Sequence, residues 1–225
     1  MSLIHSLRKS LLPATCPTCQ DYIEHTGICP TCYSTLPLFK EGDQNLLLRP
    51  DINRMFNLPN CDGLSACGWY QGQLATWLKQ IKYHHNRQAM MIIRHIIDKQ
   101  WTHLNLKEHI NVDACVIVPL ASTRLLNRGY NQVYQTWAHQ LCHQQLPILN
   151  IIAKKARRSH VLLSKSARQQ NAKNAFYLTG NIKHKRILLI DDVITSGATM
   201  NTVAALCKSA GAQSVWACAT CLTEL

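Results

Sequence analysis

The chain has 225 residues, 47% of them hydrophobic and 16% charged, with 11 cysteines and a formal net charge of +12. That length holds one α/β domain of ordinary size and a small appendage, and that composition excludes a disordered chain. No apolar run reaches the roughly eighteen residues of a membrane span, so no span is expected.

In chain order, Met1 to Pro13 places leucines at 3, 7 and 11 with Ile4 and Leu12 beside them, the pattern of a short amphipathic helix. It lacks the unbroken apolar stretch and small-residue cleavage site of a secretory signal. The expected location is therefore cytoplasmic, and the odd number of cysteines is expected to be reduced thiols.

Two knuckles follow, Cys16-Pro17-Thr18-Cys19 and, nine residues on, Cys29-Pro30-Thr31-Cys32. Each sets two thiolates on one tight turn, and Gly27 permits the turn that brings the pair together. Cys16, Cys19, Cys29 and Cys32 would complete a closed tetrahedral zinc site, structural because no coordination position stays open. The alternative is a disulfide within each knuckle, which a reducing compartment opposes.

Residues 41–60, mixed in character and carrying Pro50 and Pro59, read as a connector. A strand is expected at Leu64–Tyr70, then a long helical pattern from Leu74 to Trp101 broken near His84 to Asn86. Ala114–Val118 reads as a buried strand ended by Pro119, Gln132–Leu141 as a helix and Leu149–Ile152 as a further strand. Ile187–Ile190 and Ser214–Leu222 complete the strands, with a helical pattern between them carrying Met200, Val203, Ala204, Leu206 and Cys207. Strands alternating with helices predict βαβ units and a parallel sheet flanked by helices. Cys218 and Cys221, three apart on a strand, point to opposite faces and read as core. Cys61, Cys67, Cys115, Cys142 and Cys207 likewise lie in apolar contexts.

Charge is unevenly spread. Between Ala114 and Ile190 there is no Asp or Glu but twelve Lys and Arg, ten of them between Lys154 and Arg186. Such a stretch suits pyrophosphate, nucleic acid or both.

The segment from Arg186 to Thr199 says most about function. A short apolar run, Ile187–Ile190, suits a strand buried on both faces, and Asp191 and Asp192 follow where it would emerge at its carboxyl end. Thr195-Ser196-Gly197-Ala198-Thr199 then leads into a helix, whose amides and the loop's hydroxyls can hold a phosphate. The acids would repel that phosphate, so they read as acceptors for sugar hydroxyls or as outer ligands of magnesium. Phosphate, ribose and magnesium together suggest phosphoribosyl pyrophosphate (PRPP). Neither a P-loop nor a G-x-G-x-x-G fingerprint occurs in the chain.

This segment resembles the signature of the type I phosphoribosyltransferases. Three further stretches narrow the resemblance to the ComF family. They are Val118-Pro119-Leu120 with Arg124 and Arg128-Gly129-Tyr130-Asn131-Gln132, then R-Q-Q-N-A-K-N-A-F from Arg168 to Phe176. The third is the paired knuckle ahead of W-L-K-Q-I-K-Y from Trp77 to Tyr83. Coverage runs from about Pro13 to Leu222. Two departures are His160, where Gln is common, and Ser196 for a second Thr, which keeps the hydroxyl.

The resemblance implies an α/β fold of the type I phosphoribosyltransferase kind, with residues 61–225 as that domain and 1–40 as an N-terminal helix and zinc module. It implies PRPP or a phosphoribosyl nucleotide at Asp191, Asp192 and the loop from Thr195 to Thr199. The strand end at Pro119 and Leu120 would offer backbone amides to pyrophosphate, and Arg128 a guanidinium. Asn131 reads either as a helix cap or as a ligand contact. Lys154 to Asn171 resembles the hood that closes over the site; within it Arg168 is either a catalytic candidate, like Arg128, or a surface residue. No general base is evident. Lys154, Lys155, Arg157 and Arg158 are candidates for contacting single-stranded DNA. The family further implies a link to DNA uptake in natural transformation, with a competence helicase or other DNA-import proteins as partners. Two classes of function stay open: phosphoribosyl transfer to an unknown acceptor, or DNA binding or PRPP sensing without turnover.

Overall fold

A strand hydrogen-bonded on both sides within a parallel sheet has no solvent face, so it needs apolar residues at successive positions. The computed structural model, which describes residues 14–23, 27–120, 125–126, 128–154 and 176–224, builds its centre from two such strands. They are β7 (Arg186–Ile194) and β8 (Ser214–Leu222), with Ile187 to Ile190 and Ala217 to Leu222 almost wholly buried. β3 (Gly63–Trp69) flanks β8 and β4 (Ala114–Ile117) flanks β7. The order is β3-β8-β7-β4 and every pairing is parallel, so the carboxyl ends share one edge.

The connections are helical. α3 (Gly72–His84) and α4 (Arg87–His103) follow β3, α6 (Gln132–His143) follows β4, and α7 (Ala198–Ser209) links β7 to β8. The expected break in the first helical pattern is real and has a local cause. His85 adopts the left-handed conformation (φ 51°), and the Asn86 side chain accepts from the Ala89 amide at 3.0 Å to start the next helix. α3 therefore ends at the sheet's carboxyl edge. α6 is fixed from below by a buried bond, Trp137 Nε1 donating to Thr220 Oγ1 at 3.0 Å.

Before β3 lie the paired strands β1 (Ala14–Thr15) and β2 (Tyr22–Ile23) and the helices α1 (Pro30–Ser34) and α2 (Pro50–Met55). Residues 41–60, expected as a connector, place Leu46, Ile52, Phe56 and Leu58 in the core. Other elements among the described residues are a 3-10 turn (Leu46–Leu48), α5 (Leu106–His109), β5 (Ile152–Lys154) and β6 (Phe176–Leu178).

Two expectations are corrected. Leu149–Ile152 is not a strand of the parallel sheet. The chain touches β4 only through a bridge between Cys115 and Ile148, then turns away, and β5 pairs antiparallel with β6. Leu149 still donates its amide to the Cys115 carbonyl at 2.8 Å, but Leu149 and Ile151 are only partly buried and Ile152 pairs with Leu178 of β6. Cys142, expected in an apolar setting, is exposed on the last turn of α6.

Candidate functional site

The carboxyl ends of β4 and β7, the end of α3 and the start of α6 enclose a cleft of about 800 Å³. Its walls include Tyr70, Lys82, Tyr83, His85, Val118, Pro119, Leu120, Arg128, Gln132, Lys154, Asp191, Asp192, Thr195, Thr199 and Thr223. Ligands of open α/β sheets sit at this edge, and here it is lined by both signs of charge.

The two acids are not equivalent. Asp192 is satisfied by the protein itself. Its Oδ1 accepts from the Val193 amide at 2.7 Å, and its Oδ2 accepts from Gln132 Nε2 at 2.8 Å and pairs with Lys82 Nζ at 2.7 Å. Asp191 Oδ1 accepts the neighbouring Asp192 amide at 2.8 Å, and its carboxyl lies against that of Asp192 with no ion pair among the described residues. Burial, and then the Asp192 charge, pushes Asp191 well above the usual carboxylate range. Asp192 feels the same burial, but Lys82 and Gln132 outweigh it and hold its carboxyl below that range. Asp191 is the acid without an ion pair among the described residues.

The loop after β7 supplies the opposite polarity. Thr195, Ser196, Ala198 and Thr199 are exposed, and Gly197 caps α7 without any side-chain hydrogen bond, so the helix's first amides remain available. Gly197 has two structural duties. Its φ is +74°, and a Cβ there would lie 2.9 Å from Leu58 Cδ2. Asn60 reinforces the arrangement, its amide and side chain both donating to Asn201 Oδ1 of α7 at 3.1 and 2.9 Å. The segment before β3 thus buttresses the loop.

Pro119 and Leu120 line the cleft, but the strand end offers fewer amides than expected. The Val118 amide donates to the Ile190 carbonyl at 2.9 Å and Pro119 has none, which leaves that of Leu120. Arg128 sits on the facing wall with its guanidinium 5.7 Å from the Tyr83 ring centroid. Tyr130 donates to the Ile81 carbonyl at 2.6 Å, tying this loop to the end of α3. Asn131 is a helix cap, accepting from the Val133 amide at 3.0 Å.

At the other end of the chain Cys16, Cys19, Cys29 and Cys32 come together, their Sγ atoms all within 4.8 Å of one another. A tetrahedron with metal–sulfur bonds of about 2.3 Å has S···S edges of about 3.8 Å. Cys19 and Cys29 already meet that at 3.7 Å. The Cys29 amide donates to Cys16 Sγ at 3.5 Å and the Cys32 amide to Cys29 Sγ at 3.3 Å, contacts that favour thiolates. Burial raises the Cys16 thiol, but the amides of Cys19, Cys29 and Thr18 prevail and bring it down to about 6. Burial, and then Cys29, raises Cys32. Four thiols so close do not all ionise without a cation, and this donor set fits zinc. The cluster is attached to the larger unit through Tyr33, whose hydroxyl accepts from Gln100 at 3.3 Å and whose ring lies 4.8 Å from Lys99 Nζ.

The family described as "Phosphoribosyl transferase domain" matches residues 130–223. Competence protein F of Haemophilus influenzae is 30% identical over 217 residues, 89% of this chain and 86% of that one. The DNA utilization protein YhgH of Salmonella typhimurium is 28% identical over 88% of this chain and 97% of its own. Competence protein ComFC of Streptococcus pneumoniae is 35% identical over 44% of each. The chain belongs to the ComF family, within the phosphoribosyltransferase superfamily. Its parallel sheet flanked by helices is the phosphoribosyltransferase fold, with a four-cysteine module ahead of it.

Against the residues expected from the ComF resemblance, the cleft gathers Asp191, Asp192, Thr195, Thr199, Pro119, Leu120 and Arg128. Ser196, Gly197 and Ala198 lie in the same loop without lining the cleft. Lys154, expected at a nucleic-acid surface, is in the cleft wall with its ammonium 5.0 Å from the Phe176 ring centroid. Lys155, Arg157, Arg158 and Arg168, with most of the expected hood, lie outside the described residues, as does the N-terminal amphipathic stretch. Lys82 and Gln132 were not assigned roles from sequence. Both lay within segments that carried the family resemblance, and the one signal for Lys82 was its place in the stretch ending at Tyr83. None of the helices among the described residues is long and apolar enough to cross a membrane.

Proposed function

We propose that this ComF-family protein binds PRPP, or a phosphoribosyl nucleotide, in the cleft at the carboxyl end of β7, and acts in DNA uptake. The observation that carries the reading is the pairing of opposites at one strand end. Asp191 lines the cleft with no ion pair among the described residues, and one loop away the uncapped amides of α7 stand beside three hydroxyls. A sugar diol donates to the first while a 5-phosphate accepts from the second. Arg128 and the Leu120 amide are placed for the pyrophosphate, and Arg128 is the described residue best placed to steady its departure if a phosphoribosyl group is transferred. Magnesium would enter with the diphosphate and would supply neutralisation of the pyrophosphate charge. Zinc, held by Cys16, Cys19, Cys29 and Cys32, supplies a cross-link in a module that has little core of its own. Calorimetric titration with PRPP and magnesium tests the binding, and pyrophosphate release with added bases or single-stranded DNA tests transfer. No heat at millimolar PRPP defeats the reading.

A second reading, single-stranded DNA binding in the import machinery without turnover, is favoured by the acid-free stretch with its twelve Lys and Arg. The names of the relatives, competence and DNA utilization proteins, point the same way. Such binding is dominated by phosphate contacts and falls steeply with salt. Neutralising Lys155, Arg157 and Arg158 together lowers affinity and flattens the salt dependence in fluorescence anisotropy, with PRPP binding kept. Absence of DNA binding at low salt removes DNA as a ligand.

A further inference from the structure

The cleft holds a cation of its own. Lys82, on the last turn of α3 and outside the matched domain, reaches Asp192 Oδ2 at 2.7 Å with both side chains largely buried. It is held there from several sides. Tyr70 presents its ring at 5.8 Å from Nζ, and the preceding carbonyl, Ile81, is gripped by the Tyr130 hydroxyl at 2.6 Å. Gln132, itself buried, donates to the same carboxylate oxygen at 2.8 Å. Adjacent carboxylates facing an anionic sugar phosphate ordinarily need a positive charge between them, and divalent metals supply it in many phosphate sites. Here the charge is covalently part of the chain, and both oxygens of Asp192 already have partners within the protein.

We propose that Lys82 is a positioning residue that takes the place of a divalent cation beside Asp192. The cleft then binds phosphoribosyl monophosphates, ribose 5-phosphate and 5′-ribonucleotides, without metal. Magnesium is required only where the ligand brings a pyrophosphate of its own. The proposal rests on the ribose-phosphate reading of the cleft and deepens it by naming the ligand class that binds metal-free. A lysine cannot dissociate as a metal can, so the site keeps its charge balance at any magnesium level.

The test titrates wild type, Lys82→Met and Lys82→Arg with ribose 5-phosphate and separately with PRPP. Each is run in magnesium-free buffer and in millimolar magnesium, with zinc content checked throughout. Wild type is expected to bind ribose 5-phosphate within about twofold with or without magnesium, while PRPP binding gains strongly from it. Lys82→Met should lose tenfold or more in ribose 5-phosphate affinity without magnesium and recover much of it when magnesium is added, a rescue that a purely structural role would not give. Lys82→Arg should keep metal-free binding. The wild-type comparison stands even if Lys82→Met fails to fold. A magnesium requirement for ribose 5-phosphate in wild type, or wild-type behaviour of a folded Lys82→Met, overturns the proposal. Failure of wild type to bind either ligand with magnesium present overturns the ribose-phosphate reading and this inference together.

Discussion

Asp191 and Asp192 are neighbours in sequence, yet replacing each by alanine should have opposite consequences for stability and binding. Asp192→Ala strands the Lys82 ammonium, whose side chain is only 15% exposed. It also removes the acceptor of the Gln132 side-chain amide, whose Oε1 already has no partner among the described residues. Breaking one side of a buried ion pair costs about 3–5 kcal/mol. Lys82 lies near the cleft mouth and can recover some hydration, so a loss of about 3 kcal/mol is expected. Asp191→Ala deletes a carboxyl whose hydrogen bond is to the next residue and whose charge is disfavoured by burial and by Asp192. It should change stability by about 1 kcal/mol or less, in either direction, while abolishing ribose-phosphate binding. Urea unfolding with zinc retained reads both values from shifts in midpoint at constant slope. Equal losses for the two variants, or a larger loss for Asp191→Ala, would refute the division of labour.

Elemental analysis should give about one zinc per chain, with Cys16→Ser losing it and loosening the N-terminal module; full retention of metal after replacing all four knuckle cysteines would remove the assignment. Gly197→Val should cost stability as well as binding, by about 1–3 kcal/mol from the left-handed backbone plus the clash with Leu58; loss of ligand binding at unchanged stability would contradict this packing. At the far end of the sheet, hydrogen bonds from the Arg186 side chain and amide draw Asp113 down to about 2, below an unfolded value of about 3.9. Its stabilisation is present above the unfolded pKa and lost as pH falls from about 4 towards 2. Asp113→Asn should flatten that part of the acid-denaturation curve, and an unchanged slope would count against the pair.

What could be read from sequence follows from how local each cause is. β7 and β8 were legible because strands buried on both faces are near-continuous apolar runs, Ile187–Ile190 and Ser214–Leu222. The loop after β7 was legible because five consecutive small residues mark it, and the four-cysteine cluster because its members lie on two short turns. Lys82 was not, because a lysine on the last turn of an amphipathic helix has the same pattern as a solvated one. Its partner lies far along the chain on another element. The inequality of Asp191 and Asp192 was hidden for the same reason, since it is set by α3 and α6 rather than by neighbours. Leu46, Ile52, Phe56 and Leu58 follow no sustained helical or strand period, so a segment that packs into the core and braces Gly197 read as a connector. Leu149–Ile152 shows the converse, a run of strand-like composition that leaves the parallel sheet and finds its ladder partner in β6 instead.

The most direct measurement is a crystal structure of the protein grown with PRPP and magnesium. The expected density places the 5-phosphate against the amides and hydroxyls of residues 195–199. It places the ribose hydroxyls on Asp191 and the pyrophosphate near Arg128 and Leu120, with the Lys82–Asp192 pair intact. Ligand bound elsewhere on the protein, or a cleft left empty at saturating PRPP, would contradict the central claim that this strand end is a phosphoribosyl site.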